Sequence, residues 1–420
     1  MYEFALNYLY SFLKDNFDLD NEKISHKLDH TFHVVDNAIY LCNDMGLSEE
    51  DKELAKLIAL LHDIGRFEQA KQMNSFREDI KNFDHAALGV KLLFETGEIR
   101  SFIKENKYDE IIKKAIERHS KYILDETGLN QKEILHSKII RDADKIDSFR
   151  AKTTEDIFAM SDITAQDIES SKISDKVFND FMNEKTIFSK DRKTGIDIWI
   201  SYIAFLFGLE FKSSLRIIEK EDYINKLFNR FDYTEESSKM ETLRDKAMEY
   251  LNVKLNYICK IASIDEVIEK YNYEIEHSND NKENWIIWKK EALDRTKSGK
   301  SVPYYGILNG KIICEATAAL DRSVVQNADG LADADTAYLF AFRTIEEFRG
   351  KGYFSILFKF MLEDLIKRGY KNVTLGVEPE DIANKAIYSH YGFSQFIKSA
   401  KEVYPDGTEI EVEYYGKKLY

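Results

Sequence analysis

The chain of 420 residues is too long for one ordinary domain, and its composition permits two or three separately packed cores. It is 44% hydrophobic, rich in tyrosine and phenylalanine, and contains no low-complexity tract that would indicate extensive disorder. A formal net charge of -15 repels polyanions, which argues against general nucleic-acid binding but leaves small anions as substrates.

The cysteines and the N-terminus indicate the compartment. Cys42, Cys259 and Cys314 are far apart and form no CxxC pair, which argues against a disulfide framework and a thiolate metal site. The N-terminus lacks a basic segment before its apolar residues, and no run approaches the roughly 18 to 20 apolar residues of a membrane span. The sequence therefore predicts a cytoplasmic protein without a membrane segment.

From residue 1 to about residue 257 the periodicity predicts helices and almost no strand. Ser48 is a suitable N-cap for a helix with apolar residues at three- and four-residue intervals, and Gly65 is expected to end it. His62 and Asp63 would then lie at a helix C-terminus. Further helices are predicted at residues 27–44, 84–95, 108–122, 132–149, 194–207 and 240–257.

After Cys259 the pattern becomes mixed, and we predict an α+β domain with a mixed sheet following an all-α helical bundle. Asn309-Gly310 between two apolar runs is typical of a hairpin turn. Strands are predicted at residues 271–276, 302–308, 312–320, 338–345, 373–377 and twice within 393–419; helices are predicted at 282–296 and 354–367. The domain boundary is expected near residues 258–266.

Several predicted helices carry a histidine or a carboxylate near an apolar face. Asp144 continues the apolar stripe of its helix, where an unpaired carboxylate would be unfavourable. His119 lies on the buried face of its own helix, and His85 opens another. Each of these residues, taken singly, is more typical of a core or surface position than of a ligand. Helical bundles nevertheless form metal sites when several helices present such donors inward.

These donors occur in a definite order along the chain, and several lie in the segments LLHDIGRF, FDHAALG and KIIRDADKID. This ordered set resembles the HD superfamily of metal-dependent phosphohydrolases. The resemblance covers about residues 20–150, and the helices to residue 258 resemble the tail of bacterial members. The metal ligands that it implies are His30, His62, Asp63 and Asp144, with His85 and His119 as the extra pair of two-metal members. Asp63 is the implied bridging ligand. His26 and His33 share a helical face with His30, and an HTxxV-like segment selects His30.

The chemistry implied by this resemblance is hydrolysis of a small phosphorylated substrate, with nucleotides as the class to test first. Imidazoles and carboxylates suit Mn, Fe, Co, Ni or Mg, as one or two ions, and a bound cation makes hydroxide available near neutral pH. Arg66 and Lys145 are candidates to neutralise phosphate oxygens, with a solvated surface cation as an equal alternative. Six such ligands would also suit a di-iron oxygenase.

The segment FRGKGYF, from Phe348 to Phe354, lies between a predicted strand and a predicted helix. This geometry directs backbone N–H groups and the helix dipole at an anion, although an ordinary turn is the default interpretation of two glycines. With TAYLFAFRTI before it and NKAIYSHYGF after it, the segment resembles the GNAT superfamily of N-acetyltransferases over about residues 270–420. Arg349 and Gly352 match the family's R/Q-x-x-G-x-G/A loop, and Phe354 departs from its third fixed position.

This second resemblance implies acetyl-CoA as the cofactor. Backbone groups of Phe342 and Thr344 would pair with pantetheine. The pyrophosphate would be held by Arg349, Gly350, Lys351, Gly352, Tyr353 and Phe354. Asn384 and Tyr388 match the family's asparagine and the tyrosine that protonates the CoA thiolate; the alternative is that Tyr388 and Tyr391 only pack their helix. Candidate general bases are Glu315, Glu346 and Glu347.

The sequence thus predicts a bifunctional enzyme. Phosphoester hydrolysis is expected in residues 1–258, and acetyl transfer to a small-molecule or peptide amine is expected in residues 266–420. An alternative, motivated by Phe354, keeps the hydrolase and makes the C-terminal domain a CoA-binding sensor.

Overall fold

The computed structural model describes residues 1–76, 83–158, 163–277 and 282–420. The chain divides into two compact units, Met1–Leu255 and Asn256–Tyr420. The first unit is helical and the second contains a seven-stranded mixed sheet, which confirms the predicted fold class. Among the described residues, no helix combines the length and apolar character needed to cross a membrane.

The first unit contains fourteen described α-helices. They are α1 (Tyr2–Asn16), α2 (Glu22–Asp44), α3 (Glu49–Leu61), α4 (Ile64–Met73), α5 (His85–Val90), α6 (Ile99–Phe102), α7 (Asp109–Arg118), α8 (Gln131–Thr154), α9 (Ala165–Glu169), α10 (Asp175–Met182), α11 (Gly195–Ile203), α12 (Lys212–Lys220), α13 (Tyr223–Phe228) and α14 (Ser237–Asn256). A π-helical turn, Lys91–Glu95, continues α5. The predicted helices in this half are confirmed, with shifts of a few residues at their ends.

Apolar packing holds α2, α3, α7 and α8 against one another. Their buried residues form one cluster, which includes Val34, Leu57, Ile58, Leu61, Ile112, Ile116, Ile139 and Ile140. Burying each such side chain contributes about 1.5 to 3 kcal/mol relative to leaving it in water. The ends of these helices are therefore fixed relative to one another, which is the condition for placing polar groups between them.

The chain after α3 departs from the prediction. The hydroxyl of Ser48 caps α3 as expected, by accepting a hydrogen bond from the backbone N–H of Asp51. The helix ends at Leu61, however, and Gly65 lies in the first turn of α4 rather than at a helix end. A Cβ at position 65 would lie 2.2 Å from the carbonyl oxygen of His85. Glycine is thus required for the close approach of α4 to α5, and not for ending a helix.

A buried carboxylate connects α8 to the segment before α12. Asp142 accepts hydrogen bonds from the backbone N–H groups of Glu210 and Phe211, at 3.0 Å each to Oδ2, and from the hydroxyl of Ser214 at 2.6 Å. Burial raises the pKa of Asp142, and these donors together with Lys145 oppose the shift. The carboxylate thereby satisfies three donors in a region without solvent.

The second unit is built on one sheet with the strand order β1-β2-β3-β4-β5-β7-β6. Its strands are β1 (Tyr257–Ile261), β2 (Ser301–Leu308), β3 (Lys311–Ala319), β4 (Thr336–Thr344), β5 (Asn372–Val377), β6 (Gln395–Val403) and β7 (Glu409–Lys418). Its helices are α15 (Ile264–His277), α16 (Lys282–Lys297), α17 (Tyr353–Lys367) and α18 (Ile382–His390). Only β4 and β5 pair in parallel; the other neighbours in the sheet are antiparallel.

The predicted hairpin is present. Asn309 and Gly310 both have positive φ, at 50° and 80°, which matches the twist of the two-residue turn between β2 and β3. The strand β1 was not predicted, because it follows directly on α14 without a turn signal in the sequence.

The strand predicted at residues 271–276 is wrong, because these residues belong to α15. Alternating Tyr271, Tyr273 and Ile275 imitate a strand pattern. The buried residues of the helix, Val267, Lys270, Tyr271 and Glu274, instead follow helical spacing. Ser263 begins the helix by accepting from the N–H of Glu266, whose carboxylate accepts from the N–H of Ser263.

Replacing Asp142 by alanine should lower the free energy of unfolding of the first unit by about 3 kcal/mol, because buried donors lose their acceptor. Urea unfolding of the full chain, followed by far-ultraviolet circular dichroism, measures the change. Ser214→Ala removes one of these donors and should cost only about 1 kcal/mol. An Asp142→Ala protein as stable as the wild type would contradict this role.

Candidate functional site

The six predicted metal ligands lie together in the first unit. His30 is on α2, His62 and Asp63 form the turn between α3 and α4, His85 opens α5, His119 follows α7, and Asp144 is on α8. Donor atoms of two overlapping triads are close enough to share an ion: His30, His62 and Asp144 in one, and His62, Asp63 and His119 in the other. We call the six residues the His/Asp cluster.

Asp63 lies at the centre of the His/Asp cluster, and its side chain is only 4% exposed. Its Oδ1 is 3.2 Å from Nε2 of His85 and 3.5 Å from Nε2 of His119. Its Oδ2 is 3.5 Å from Nε2 of both His30 and His62. Each carboxylate oxygen therefore faces a separate pair of imidazoles, as a ligand shared by two cations would have to do.

The ends of two helices set the tautomers of two histidines. Nδ1 of His62 lies 2.8 Å from the carbonyl oxygen of Ala59, and Nδ1 of His119 lies 2.7 Å from that of Ile116. Because a carbonyl oxygen can only accept, both Nδ1 atoms must donate. Each imidazole then has its unprotonated Nε2, the atom suited to bind a metal, on the side of Asp63.

His30 is oriented by a carboxylate instead. Its Nδ1 lies 2.6 Å from Oδ2 of Asp147, which is itself held by Arg150 at 2.5 Å. Its Nε2 lies 3.3 Å from Oδ1 of Asp144. A carboxylate behind a metal-binding imidazole fixes the ring and increases its basicity. Asp147 was not among the predicted site residues, although it lies one turn after Asp144 on the same helix.

The His/Asp cluster fits a divalent cation. Nε2 of His30 and Nε2 of His62 are buried and make no hydrogen bond within the part of the chain that the structure describes. Buried polar atoms without partners are unfavourable, and a cation among them would remove that cost. Neutral imidazoles with carboxylates are donors that suit the predicted ions Mn, Fe, Co, Ni or Mg.

The protonation of the cluster suits such an ion. Burial lowers the pKa of His62 to about 4, so its imidazole is neutral at pH 7. Burial alone would raise the pKa of Asp63, but Lys27 and the neighbouring imidazoles hold it well below its usual value. Burial and Lys27 lower the pKa of His30, whereas Asp144, Asp147 and Asp63 raise it, to about 10 overall. A cation that binds at His30 must therefore displace a proton.

The structure distinguishes the two basic side chains predicted to contact phosphate, Arg66 and Lys145, and adds a third, Lys27. Nζ of Lys27, which the sequence analysis did not select, lies 2.6 Å from Oδ2 of Asp63. Nε of Arg66 is 3.9 Å from Oδ1 of Asp63, and its Nη1 donates to Gln69. Lys145 does not point at the cluster, because its Nζ donates to the carbonyl oxygen of Gly208. Lys27 precedes His30 by one helical turn, and that spacing could have identified it.

The two remaining histidines of α2 lie outside the His/Asp cluster. His26 is 3.5 Å from a carboxylate oxygen of Glu155, and His33 is 3.6 Å from one of Asp29. Both side chains are partly exposed. Neither histidine therefore contacts the six predicted ligands through these ion pairs.

In the second unit, the parallel pairing of β4 with β5 ends before the predicted cofactor loop. Their parallel pairing runs from Thr336 with Asn372 to Leu339 with Leu375, while β4 continues to Thr344. Ala341 follows the last pair and has a φ of +55°. The strand is therefore irregular at the point where Phe342 and Thr344 were expected to offer backbone groups to pantetheine.

The predicted phosphate loop leads into α17. Gly350 and Gly352 have φ values of +75° and +82°, and Gly352 is the N-cap of the helix. A Cβ at either glycine would meet no atom within 4 Å, so both face open space. The helix has no side-chain cap and no acidic residue in its first turn. Its first N–H groups and dipole thus remain suited to an anion, which fits the pyrophosphate of CoA.

The residues next to the two glycines of this loop make contacts of their own. Nε of Arg349 donates to the carbonyl oxygen of Thr344 at 3.0 Å. Nζ of Lys351 lies 6.0 Å from the ring centre of Phe348, and Tyr353 is buried. These contacts fix the approach of the loop to α17.

Phe354 packs into an aromatic cluster. Its ring centre lies 5.4 Å from that of Phe342 and 5.7 Å from that of Phe358. The bulky side chain thus lies against the body of the unit. The loop glycines before it keep their open surroundings.

The structure distinguishes the two candidate tyrosines. The ring of Tyr388 lies 5.8 Å from that of Phe342, and burial raises its pKa to about 12. The hydroxyl of Tyr391 is engaged in a hydrogen bond of 2.5 Å with Ser355. Nδ2 of Asn384 donates to Asp381 at 2.6 Å, within the cap of α18. Tyr388 is therefore the better placed of the two phenols next to β4.

The three candidate bases lie in different surroundings. Glu315 is buried and its Oε1 is 2.6 Å from Nζ of Lys270. Glu347 is exposed and lies 2.9 Å from Lys311. Glu346 is exposed in the turn before the loop. None of these contacts selects one carboxylate as the base.

Comparison with known families agrees with these two sites. Residues 28–148 match the HD domain, and residues 262–393 match the acetyltransferase (GNAT) family. The chain joins an HD domain to a GNAT domain. The match to the HD domain includes all six residues of the His/Asp cluster, and the match to the GNAT family includes the loop and Tyr388. A comparison with curated proteins gave no match.

Three solved structures that resemble part of the chain are described as acetyltransferases. The ribosomal-protein-S18-alanine N-acetyltransferase of Escherichia coli is 16% identical, covers 39% of this chain and 94% of its own, and has a TM-score of 0.29. An N-acetyltransferase from Staphylococcus aureus Mu50 is 16% identical, with 39% and 99% coverage and a TM-score of 0.30. A putative acetyltransferase from Salmonella typhimurium, solved with its cofactor acetyl-CoA, is 16% identical, with 39% and 95% coverage and a TM-score of 0.29.

Asp147→Asn should weaken metal binding by the HD domain about 10- to 100-fold, because His30 loses the carboxylate that orients it. Titration of the apoprotein with Mn²⁺, followed by calorimetry, measures the affinity. Asp36→Asn, an exposed substitution on the same helix as His30, is the matched control and should bind as the wild type does. Equal affinities of the Asp147→Asn and control proteins would show that Asp147 does not support a metal ligand.

Proposed function

We propose that the HD domain, within residues 1–258, hydrolyses a small phosphorylated substrate with the help of one or two divalent cations. The observation that carries this proposal is the convergence of four imidazoles on the carboxylate of Asp63, with the carboxylate of Asp144 beside His30. A nucleotide is the first substrate class to test, by analogy with similar hydrolases.

The residues that would hold the cations are proposed from the triad of His30, His62 and Asp144 and from the contacts of Asp63. His30, His62 and Asp144 would hold one ion, and His85 with His119 would hold the other, with Asp63 between them. Bound there, a divalent cation polarises a phosphoryl oxygen and lowers the pKa of a coordinated water. The carbonyl oxygens of Ala59 and Ile116 accept from Nδ1 of His62 and His119, so that Nε2 of each ring would be the atom left to bind a cation. The overall reaction forms a bond between the oxygen of water and phosphorus, breaks the bond between phosphorus and the leaving oxygen, and transfers one proton of the water to that leaving oxygen.

The cations of the protein would neutralise the phosphate. Lys27 and Arg66 both lie beside Asp63, so they could contact a phosphoryl group held at the His/Asp cluster. Lys145 would reach such a group only by leaving the carbonyl oxygen of Gly208. We therefore assign the phosphate contacts to Lys27 and Arg66 ahead of Lys145.

His62→Ala and Asp63→Ala should each reduce the rate of phosphate release at least about 100-fold, because each removes a proposed metal ligand. Mutation of residues that only support a ligand already lowers metal affinity or activity about 10- to 100-fold. The assay is a panel of nucleotides and phosphoesters with the full chain and added Mn, Fe, Co, Ni or Mg. His33→Ala, outside the cluster, is the control. Wild-type rates in both cluster variants would reject the site. Oxygen consumption by the iron-loaded protein without phosphate release would favour an oxygenase.

We further propose that the GNAT domain, within residues 266–420, transfers an acetyl group from acetyl-CoA to an amine. Support comes from the uncapped start of α17 behind two open glycines. The N–H groups there would hold the pyrophosphate, and Phe342 and Thr344 would pair with pantetheine. Acetyl-CoA supplies an activated acyl group and a thiolate leaving group; the amine nitrogen bonds to the acyl carbon as the carbon–sulfur bond breaks.

Tyr388 is the proposed general acid for the departing thiolate. Because burial raises its pKa to about 12, the phenol keeps its proton throughout the physiological range. A proton at that oxygen can be donated to sulfur. The packing of Phe354 against Phe342 leaves the loop glycines open, so that this side chain does not block the approach of a pyrophosphate.

Tyr388→Phe should lower kcat for acetyl transfer by about 100-fold, the lower end of what a general acid contributes, with a small change in KM for acetyl-CoA. Thiol release from acetyl-CoA with a panel of small amines and peptide N-termini measures the rate. Tyr391→Phe is the matched control, since that hydroxyl is bonded to Ser355. Because the pKa of Tyr388 is about 12, kcat should show no loss from its ionisation up to about pH 10. Equal kcat values for the Tyr388 variant and the wild type would reject the assignment.

A further inference from the structure

A cavity lies between α15 and the sheet of the second unit. Its apolar lining includes Ile312, Ile313 and Ile345. Its volume of about 80 Å³ is enough for about six water molecules, which is also the size range of an aliphatic side chain. Charged residues line the same space, namely Glu269, Lys270 and Glu274 of α15, Lys311 and Glu315 of β3, and Arg343 of β4. We call this space the Arg343 cavity.

Four of the charged groups form two ion pairs between α15 and the sheet. Nζ of Lys270 lies 2.6 Å from Oε1 of Glu315, and Nη2 of Arg343 lies 2.8 Å from Oε2 of Glu274. Glu315 and Arg343 are direct neighbours on β3 and β4. Lys270 and both carboxylates are no more than 7% exposed. Buried ion pairs contribute little net stability, because the cost of desolvation offsets their attraction. Opposite charges at the wall of a cavity are, however, what a dipolar ligand requires.

The two cations of these pairs differ in access. Nζ of Lys270 is enclosed, since it lies 4.1 Å from the ring centre of Tyr271 and 4.8 Å from that of Trp285. Arg343 is 35% exposed and rests on Trp285, with 5.1 Å between its Cζ and the ring centre. Among the described residues, Arg343 forms no ion pair besides that with Glu274. A guanidinium has five N–H donors, so Arg343 can bind an anion while it keeps its contact with Glu274.

Arg343 also lies beside the proposed path of the cofactor. It follows Phe342 in β4, and the ring of Phe342 lies 5.8 Å from that of Tyr388. Arg343 instead contacts Glu274 of α15, so the two neighbours on β4 face opposite sides of the sheet. The pairing of β4 with β5 ends at Leu339, before both residues. A ligand at Arg343 is therefore next to an unpaired part of β4, with Tyr388 on the other side of that strand.

We propose that the Arg343 cavity binds the acceptor of the GNAT domain, and that this acceptor is a free amino acid with an apolar side chain. This inference rests on the proposed acetyltransferase function. The carboxylate of the amino acid would bind Arg343, its ammonium group would lie against Glu274, and its side chain would enter the apolar lining. A zwitterion placed on an ion pair of opposite polarity leaves no net charge buried without a partner.

The reaction of such an acceptor balances without a further reagent. The ammonium group loses one proton to water before attack. Its nitrogen then bonds to the acyl carbon of acetyl-CoA, and the carbon–sulfur bond breaks. A second proton leaves the nitrogen, and the sulfur gains one from the general acid. The products are the N-acetyl amino acid and free CoA.

Pairs of ligands that differ only in the carboxylate test the contact with Arg343. The probes are L-leucine with isoamylamine and L-valine with isobutylamine, titrated by calorimetry into the full chain in the presence of CoA. The wild type should bind at least one of the two amino acids about tenfold or more tightly than its paired amine. Arg343→Met should remove most of this preference, because one charge-assisted hydrogen bond accounts for about tenfold or more. Arg343→Lys keeps the charge and should restore part of it.

The ratio of two affinities separates binding from folding, since both are measured on one preparation. A structural role of Arg343 would weaken the amino acid and the amine equally, and that result would overturn the proposal. So would equal affinities of the wild type for both members of each pair. Glu274→Gln should weaken both members, because both carry the ammonium group. Lys359→Met removes a lysine of the same unit that is 81% exposed, and it should leave the ratio within about twofold of the wild type.

Thiol release from acetyl-CoA with the same ligands reports separately on the acetyltransferase. Selective loss of amino-acid acetylation in Arg343→Met, relative to acetylation of the paired amine, supports the proposal. Acetylation of amines without any preference for the amino acids keeps the proposed function and rejects the Arg343 cavity as the acceptor site. Arg343-dependent binding of an amino acid without acetyl transfer to any amine rejects the acetyltransferase and keeps the amino-acid site.

Discussion

The first unit depends on one buried carboxylate. Asp63 sits between two pairs of imidazoles, in a position where an isolated negative charge would strongly destabilise the fold. The compensation comes from five helices at once, since each brings a polar group to the end or the inner face of an apolar contact. Apolar packing and charge neutralisation therefore depend on each other. The packed helices bring the donors together, and the donors offset the free-energy cost of burying the charge of Asp63.

Much of the His/Asp cluster could be predicted from sequence, because its members recur on helices with clear apolar stripes. His119 is buried and follows the buried residues Ile112, Ala115 and Ile116, whereas Asp144 is 31% exposed and lies between the buried residues Ile140 and Asp147 of its helix. The contacts of the long cations could not be predicted. Lys145 and Lys27 lie equally near predicted ligands in sequence, yet only Lys27 touches one. The difference depends on Gly208, more than sixty residues away, whose carbonyl oxygen accepts a hydrogen bond from Nζ of Lys145.

In the second unit, local sequence patterns predicted the hairpin turn correctly. They failed in a segment whose apolar residues fit both the two-residue spacing of a strand and the spacing of a helix. Asn309-Gly310 defines a hairpin from two residues alone. The segment Tyr271–Glu276 carries alternating apolar residues and is nevertheless helical, because α16 packs on it and buries the i, i+3, i+4 face. Phe354 departs from the family pattern, and its effect depends on the rings of Phe342 and Phe358, which no local rule anticipates.

Gly65 affects both the packing of two helices in the HD domain and the position of a residue of the His/Asp cluster. Its missing side chain allows α4 to rest against the main chain at His85, and His85 is one of the groups that face Asp63. Any larger residue would have to move a peptide unit rather than a flexible side chain, and the imidazole would move with it. Sequence variation at this position is thus limited by the main chain of a neighbouring helix, and a mutation there would alter the ligand geometry without changing any ligand.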